Sequence, residues 1–309
     1  MPTGAGMWYY IQNEPNGKQV FDDMNPLREQ HLFTDGGMGT MLAALGLPAG
    51  AAPDGWSIER AEAVTSLHRA YLAAGATMVL TNTFGCNALR QKKSPYAVAD
   101  LARAAAQNAR KAVSEAAGDA QRYVALDIGP LGVFLEPLGD LEEEEAIELF
   151  GESIRAAAPL ADCILIETMC DTAEAIAAIA AAKQYGGGLP VFCTLSFDAR
   201  GRLLTGMEVP AAMAALEDAG ADAVGCNCGV GPKQLIELLP AFRAATKLPL
   251  MMKPNAGLPA YREGKTVYDV TPEEFASDMR ALYDGGVWAI GGCCGTTPAH
   301  IQAMTEACR

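Results

Sequence analysis

The sequence predicts an α/β fold, a (β/α)8 TIM barrel forming a single domain. Three observations lead there. Short apolar runs rich in strand formers recur eight times, and a stretch with helical spacing follows each one. Glycines and polar residues gather just past the C-terminal ends of those runs, where barrels build their sites. No linker or low-complexity break divides the 309 residues, so one barrel-sized unit with a large core fits better than two ordinary domains.

The expected strands are Leu32 to Thr34, Met78 to Thr81, Tyr123 to Ile128, Cys163 to Ile166, Val191 to Ser196, Ala223 to Cys226, Leu250 to Lys253 and Val287 to Ile290. The helical stretches run near Ser57 to Ala74, Tyr96 to Ala117, Glu142 to Ala161, Thr172 to Gln184, Val209 to Ala219, Pro232 to Ala245 and Pro272 to Tyr283, with a last one after Pro298. Thr271-Pro272 followed by Glu273 and Glu274 reads as an N-cap, a first-turn proline and two acids that complement the helix dipole. Gly75, Gly220 and Gly285-Gly286 stand where helices should stop. Residues 1–31 lie outside this alternation as an N-terminal extension, and the barrel occupies 32–309. The extension holds Trp8, Tyr9 and Tyr10, and covering the barrel bottom, contacting a partner and partial disorder are its open readings.

Composition excludes several functions. Lys plus Arg number 23 against 37 Asp plus Glu, and a net charge of -14 disfavours a nucleic-acid partner, which needs a basic stripe against phosphate. The first thirty residues carry Glu14, Asp22, Asp23 and Glu29 without an apolar core, unlike a secretory signal. The most apolar helical stretch, Ala173 to Ala182, is too short to span a bilayer and contains Glu174, so a cytoplasmic location without membrane contact is expected. Nine cysteines, an odd number, then favour reduced thiols and metal ligation over a disulfide framework.

Cys293-Cys294 follows the last expected strand, and Cys226-x-Cys228 closes another two βα units earlier. A barrel brings both loops to one face. Three thiolates around zinc leave one tetrahedral position open, as a catalytic site requires. The bland alternative is packing, because free cysteine is commonly buried. That reading suits Cys163 and Cys193, inside expected strands, and Cys86, Cys170 and Cys308, which lack a cluster. Spacing alone leaves both Cys226 and Cys228 as the third ligand.

Six separated motifs now carry a resemblance: Asp35-Gly-Gly-Met-Gly-Thr40, Thr81-Asn-Thr-Phe84, Leu165-Ile-Glu-Thr168, Gly225-Cys-Asn-Cys-Gly-Val-Gly-Pro232, Lys253-Pro-Asn-Ala-Gly-Leu-Pro259 and Gly291-Gly-Cys-Cys-Gly-Thr-Thr-Pro298. In order and spacing the chain resembles the homocysteine S-methyltransferases over about Phe33 to Met304, most closely the homocysteine-binding domain of cobalamin-dependent methionine synthase. The resemblance implies that Cys228, Cys293 and Cys294 hold Zn2+. It further implies that Asp35 and Glu167 take the homocysteine amino group and that the N–H groups of Gly36 and Gly37 receive its carboxylate. Asn255 matches a displaceable fourth zinc ligand or a loop organiser. For Asn82 and Asn227, organising a loop and touching substrate stand level.

The implied reaction is methyl transfer to the zinc-bound substrate thiolate, giving methionine, with no separate protein nucleophile. A free thiol is only a few per cent ionised at neutral pH, and zinc removes that obstacle. The resemblance to methionine synthase and the chain's end at Arg309 point to a methyl-corrinoid, such as methylcobalamin, on a separate partner protein. A stand-alone enzyme using S-methylmethionine, S-adenosylmethionine or betaine is the alternative. Betaine is disfavoured because Thr168 and Gly85 stand where the betaine branch has tyrosines, and aromatic faces cage quaternary ammonium groups. A non-catalytic zinc- or thiol-binding subunit or sensor would need neither Asp35 nor Glu167. A phosphate loop at Gly291-Gly292 sits poorly with the cysteine pair beside it.

Overall fold

Alternation along each strand decides what fills the barrel and what backs onto the helices. The computed structural model describes residues 27, 30–118, 120–262 and 265–309. The chain order is β1 (Leu32–Phe33), α1 (Met38–Ala44), α2 (Trp56–Glu59), α3 (Ala61–Ala73), β2 (Met78–Leu80), α4 (Val98–Glu115), β3 (Tyr123–Ile128), α5 (Glu143–Ala157), β4 (Cys163–Met169) and α6 (Thr172–Tyr185). It continues with β5 (Val191–Leu195), α7 (Val209–Asp218), β6 (Ala223–Asn227), α8 (Pro232–Ala245), β7 (Leu250–Lys253), β8 (Ala260–Arg262), β9 (Lys265–Val267), α9 (Pro272–Asp284), β10 (Ala289–Ile290) and α10 (Pro298–Cys308).

Eight of these strands form one parallel sheet in the order β1-β10-β7-β6-β5-β4-β3-β2. Its two ends meet through a bridge between Thr34 and Met78, with the Asp35 N–H donating to Met78 O at 3.0 Å and the Thr77 N–H to Phe33 O at 2.7 Å. The expected barrel is therefore present. Leu32, Met78, Ala125, Leu165, Phe192, Ala223, Met251 and Ala289 fill its interior, while Val79, Val124, Ile164, Val224 and Met252 point outward into the helix layer. Two residues beyond the interior apolar layer, the same inward positions become polar at Asp127, Glu167 and Lys253, and on β6 they do so past Gly225, at Asn227. That change from apolar to charged creates the floor of a cavity.

Two elements go beyond the expected set. The short α1 follows β1 directly, and the antiparallel hairpin β8-β9 stands inside the connection from β7 to α9. The expected helix from Ser57 to Ala74 is interrupted at Arg60, whose ψ of 45° is not helical. Its first piece is tied down by the Asn82 side chain, which donates to Ser57 Oγ at 3.1 Å and Pro53 O at 2.8 Å. Thr271 is the N-cap of α9 as expected, and with Glu274 it completes a reciprocal capping box.

Most of the N-terminal extension lies outside the described residues. Leu27 is described, and it is buried in the apolar cluster inside the barrel.

Candidate active site

Strand ends and the turns that follow them supply every group at the C-terminal mouth. Around it lies a cavity of about 630 Å3 whose wall includes Asp35, Asp127, Glu167, Lys253 and the sulfurs of Cys228, Cys293 and Cys294. This is within the range of small-molecule sites, about 300–1,000 Å3.

The three sulfurs lie within 4.8 Å of one another. Cys228 reaches that cluster because β6 ends in a left-handed turn, with φ of 57° at Cys228 and 64° at Gly229. A non-glycine residue in this region needs outside support. Here the Cys228 N–H donates to Lys253 O at 3.1 Å. Cys226 is fully buried in the outer apolar layer, and strand alternation alone would send Cys228 the same way, so it is the left-handed turn that separates the two candidates that spacing left level. On the other loop, the Cys293 N–H donates to Pro254 O at 2.9 Å and the Thr296 hydroxyl donates to Cys293 O at 2.6 Å. Asn255 Oδ1 accepts the Cys294 N–H at 3.1 Å.

Three soft donors held this closely suit a thiophilic cation. Their mutual hydrogen bonds show the same demand. The thiols of Cys293 and Cys294 donate to Cys228, pulling its ionisation far below the usual thiol range, while Cys293 and Cys294 are pushed up.

Beside the sulfurs sits a buried group of three carboxylates and one ammonium. Lys253 Nζ is 2.6 Å from Glu167 Oε2, and both side chains are less than a tenth exposed. Burial alone would lower the Lys253 pKa, but Glu167, Asp35, Cys293 and Asp127 together raise it above its ordinary value. Asp35 accepts the Leu80 N–H at 2.9 Å through Oδ2, and its Oδ1 has no partner. Burial pushes the Asp35 carboxyl up to about 7 against the pull of Lys253. Asp127 is likewise buried with an unpartnered Oδ1, and burial followed by the Glu167 charge drives its pKa well up. Unsatisfied buried carboxylate oxygens are costly unless a cationic donor arrives.

Glu167 is aimed by a register shift in β4 between Ile166 and Met169, with Thr168 at φ of 62°. Asn227 holds that turn. Its Oδ1 accepts from the Thr168 N–H and the Thr194 hydroxyl, and its Nδ2 donates to Thr168 Oγ1, each at 2.7 Å. Asn227→Ala is expected to cost about 2–3 kcal/mol, because a strained turn loses its partners. The KM for whatever substrate the cavity receives should rise in step, and denaturant melts with steady-state kinetics check both. Unchanged KM would detach the turn from substrate binding.

The carboxylate-binding expectation at the first loop meets a structural fact. The Gly37 N–H already donates to Thr296, at 3.2 Å to its carbonyl and 3.1 Å to its hydroxyl. Sequence reasoning also passed over Lys253 as a site residue, although its position two after the inward Met251 marks it as inward-facing.

Residues 32–308 match the family model described as homocysteine S-methyltransferase. The chain belongs to that family. Among known proteins it is 34% identical over 303 residues to methionine synthase of Mycobacterium leprae, covering 93% of this chain and 25% of the relative. It is 33% identical over 312 residues to the methionine synthase of Mycobacterium tuberculosis, covering 94% and 26%. The chain thus spans about a quarter of the length of these relatives. The fold matches that of the Escherichia coli homocysteine methyltransferase MmuM in its metallated form, with a TM-score of 0.77, 23% identity and coverage of 91% of this chain and 99% of that one. Family membership makes this homocysteine S-methyltransferase family chain a methyltransferase enzyme of the homocysteine type. No helix among the described residues is long and apolar enough to cross a membrane.

Proposed function

We propose that this protein makes methionine by zinc-dependent methyl transfer to the thiol of homocysteine, with the methyl group brought by a protein-borne methyl-corrinoid. The observation that carries the reading is the convergence of three sulfurs within 4.8 Å beside a buried carboxylate cluster with unpartnered oxygens. One feature suits a thiol and the other an ammonium, and homocysteine has both.

Cys228, Cys293 and Cys294 hold the zinc, which supplies ionisation of the incoming thiol at neutral pH. Glu167 and Asp35 receive the substrate ammonium. With the Gly37 N–H engaged by Thr296, the Gly36 N–H is the one left to meet the substrate carboxylate. Asn255 serves as loop organiser, since its carbonyl oxygen is committed to the Cys294 amide. Together these contacts fix the sulfur's direction of attack, and orientation is itself a large part of rate acceleration.

The rim supports a protein-borne donor. Among the described residues, six of the eight exposed large hydrophobic side chains fall in connections that leave the C-terminal ends of barrel strands, and the other two, Leu45 after α1 and Tyr261 in β8, belong to the insertions that follow β1 and β7 on the same side. Leu204 is 74% exposed and Tyr261 78%. A freely diffusing small donor needs no such surface, whereas a docking protein does.

The test is to measure zinc per chain and then incubate the loaded enzyme and homocysteine separately with methylcobalamin, S-methylmethionine, S-adenosylmethionine and betaine. About one zinc per chain and methionine from methylcobalamin alone are expected. Absence of zinc overturns the metal assignment, and turnover with a sulfonium donor alone overturns the corrinoid.

A further inference from the structure

We propose that Asp127 is a third carboxylate for the substrate ammonium, held ready by the Thr81-x-Thr83 pair and setting the preference for an amino-acid thiol over its des-amino analogue. This rests on the reading that the cavity receives homocysteine.

The threonine pair explains why Asp127 is held so firmly. The Asp127 N–H donates to Thr81 Oγ1 at 3.0 Å, and the Thr83 hydroxyl donates to Asp127 O at 2.6 Å. The two hydroxyl oxygens are 2.6 Å apart. Since Thr83 spends its proton on the Asp127 carbonyl, the remaining proton, on Thr81, must point to Thr83. Both backbone groups of Asp127 are thereby fixed, and all three residues are buried.

The side chain gains nothing structural from this clamp. Its Oδ1 is buried at the cavity wall without a hydrogen-bond partner, and the other unpartnered carboxylate oxygen in that wall is Asp35 Oδ1. Lys253 cannot serve all three acids at once, because its ammonium is paired with Glu167. Three carboxylates against one ammonium leave two negative charges in excess when all are ionised. An α-ammonium carries three N–H donors and one positive charge, which matches the unpartnered oxygens of Asp35 and Asp127 together with Glu167. A simple alkane thiol or thiol acid brings no such donors and leaves both oxygens desolvated and unmet.

The experiment compares zinc-loaded wild type with Asp127→Asn, which keeps the shape and removes the charge. Calorimetry measures dissociation constants for homocysteine and 4-mercaptobutanoate, which share thiol and carboxylate and differ in the amino group. Wild type should prefer homocysteine, and Asp127→Asn should reduce that preference about tenfold or more, mainly by weakening homocysteine. Thr83→Val, which loosens the clamp and leaves the charge, should reduce it by roughly threefold, and it decides the matter should Asp127→Asn fail to fold. Zinc content should not change in either variant. An unchanged preference in the variants, with both thiols bound, overturns the role of Asp127 alone. Failure of wild type to bind either thiol overturns it together with the functional reading beneath it.

Discussion

Cys228→Ala is expected to lower zinc affinity by more than about 100-fold and to lower methionine formation by at least the same factor. Hydrogen-bonding partners behind metal ligands already account for about 10–100-fold in affinity, so removal of a ligand itself must exceed that. The remaining two thiols, Cys293 and Cys294, are adjacent on one loop, and Cys228 alone brings a sulfur from β6. Without it the metal keeps no grip across the mouth, and a substrate thiol with an ordinary pKa near 8.5 returns to a few per cent ionised at pH 7. Competition with a chromophoric chelator gives the affinity, and methionine release gives the rate. Cys226→Ala is the matched control. It sits two residues away in the packed outer layer and should keep zinc while costing about 1 kcal/mol of stability. Equal zinc loss in both variants would remove Cys228 from the ligand set.

The contrast between those two cysteines also shows what the sequence could and could not specify. The strand-helix alternation was legible because parallel barrel strands are short apolar runs and helices such as α4 and α5 carry a clear 3.6-residue period. The polar residues past the strand ends were legible for the same reason, since Asp35, Glu167, Cys293 and Cys294 follow recognisable runs. Lys253 was legible in principle. Counting by twos from Met251 places it on the inward face, but lysine at a strand end ordinarily reads as solvated. The left-handed turns at Thr168 and Cys228 were not legible. Neither residue type favours such a backbone, and the turn at Thr168 is held by Asn227, which arrives from a strand far along the chain. The engagement of Gly37 by Thr296 likewise joins the first and last loops of a closed barrel, a contact that only closure creates. The hairpin β8-β9 has strands of three residues each, too short for a periodic signal.

Lys253→Met is expected to destabilise the protein by about 3–5 kcal/mol at pH 8, the usual result of removing one partner from a buried ion pair. The methionine fills much of the same volume, so the loss is electrostatic. It strands Glu167 with Asp35 and Asp127 in a wall where Asp35 already has its carboxyl raised to about 7. The deficit should therefore depend on pH in a definite direction. In the wild type, Lys253 has a folded-state pKa raised above its ordinary value, so its contribution is fully present below the unfolded value near 10.4 and is constant between pH 5 and 8. In the variant, Asp35 loses the lowering pull of the Lys253 ammonium, and its carboxyl, already raised by burial to about 7, moves further above the unfolded value near 3.9. Across the interval between those two values the folded chain binds more protons than the unfolded chain, so stability falls as pH rises through it. The deficit relative to wild type is then largest at pH 8 and shrinks toward pH 5 as the stranded acid becomes neutral. Denaturant melts at the two pH values measure it. Adding Glu167→Gln to Lys253→Met should restore much of the stability at pH 8 while leaving homocysteine binding impaired, because the stranded charge is gone and the ammonium has lost an acceptor. A deficit of equal size at pH 5 and pH 8, with no recovery in the double variant, would mean that Lys253 acts through packing and not through its charge.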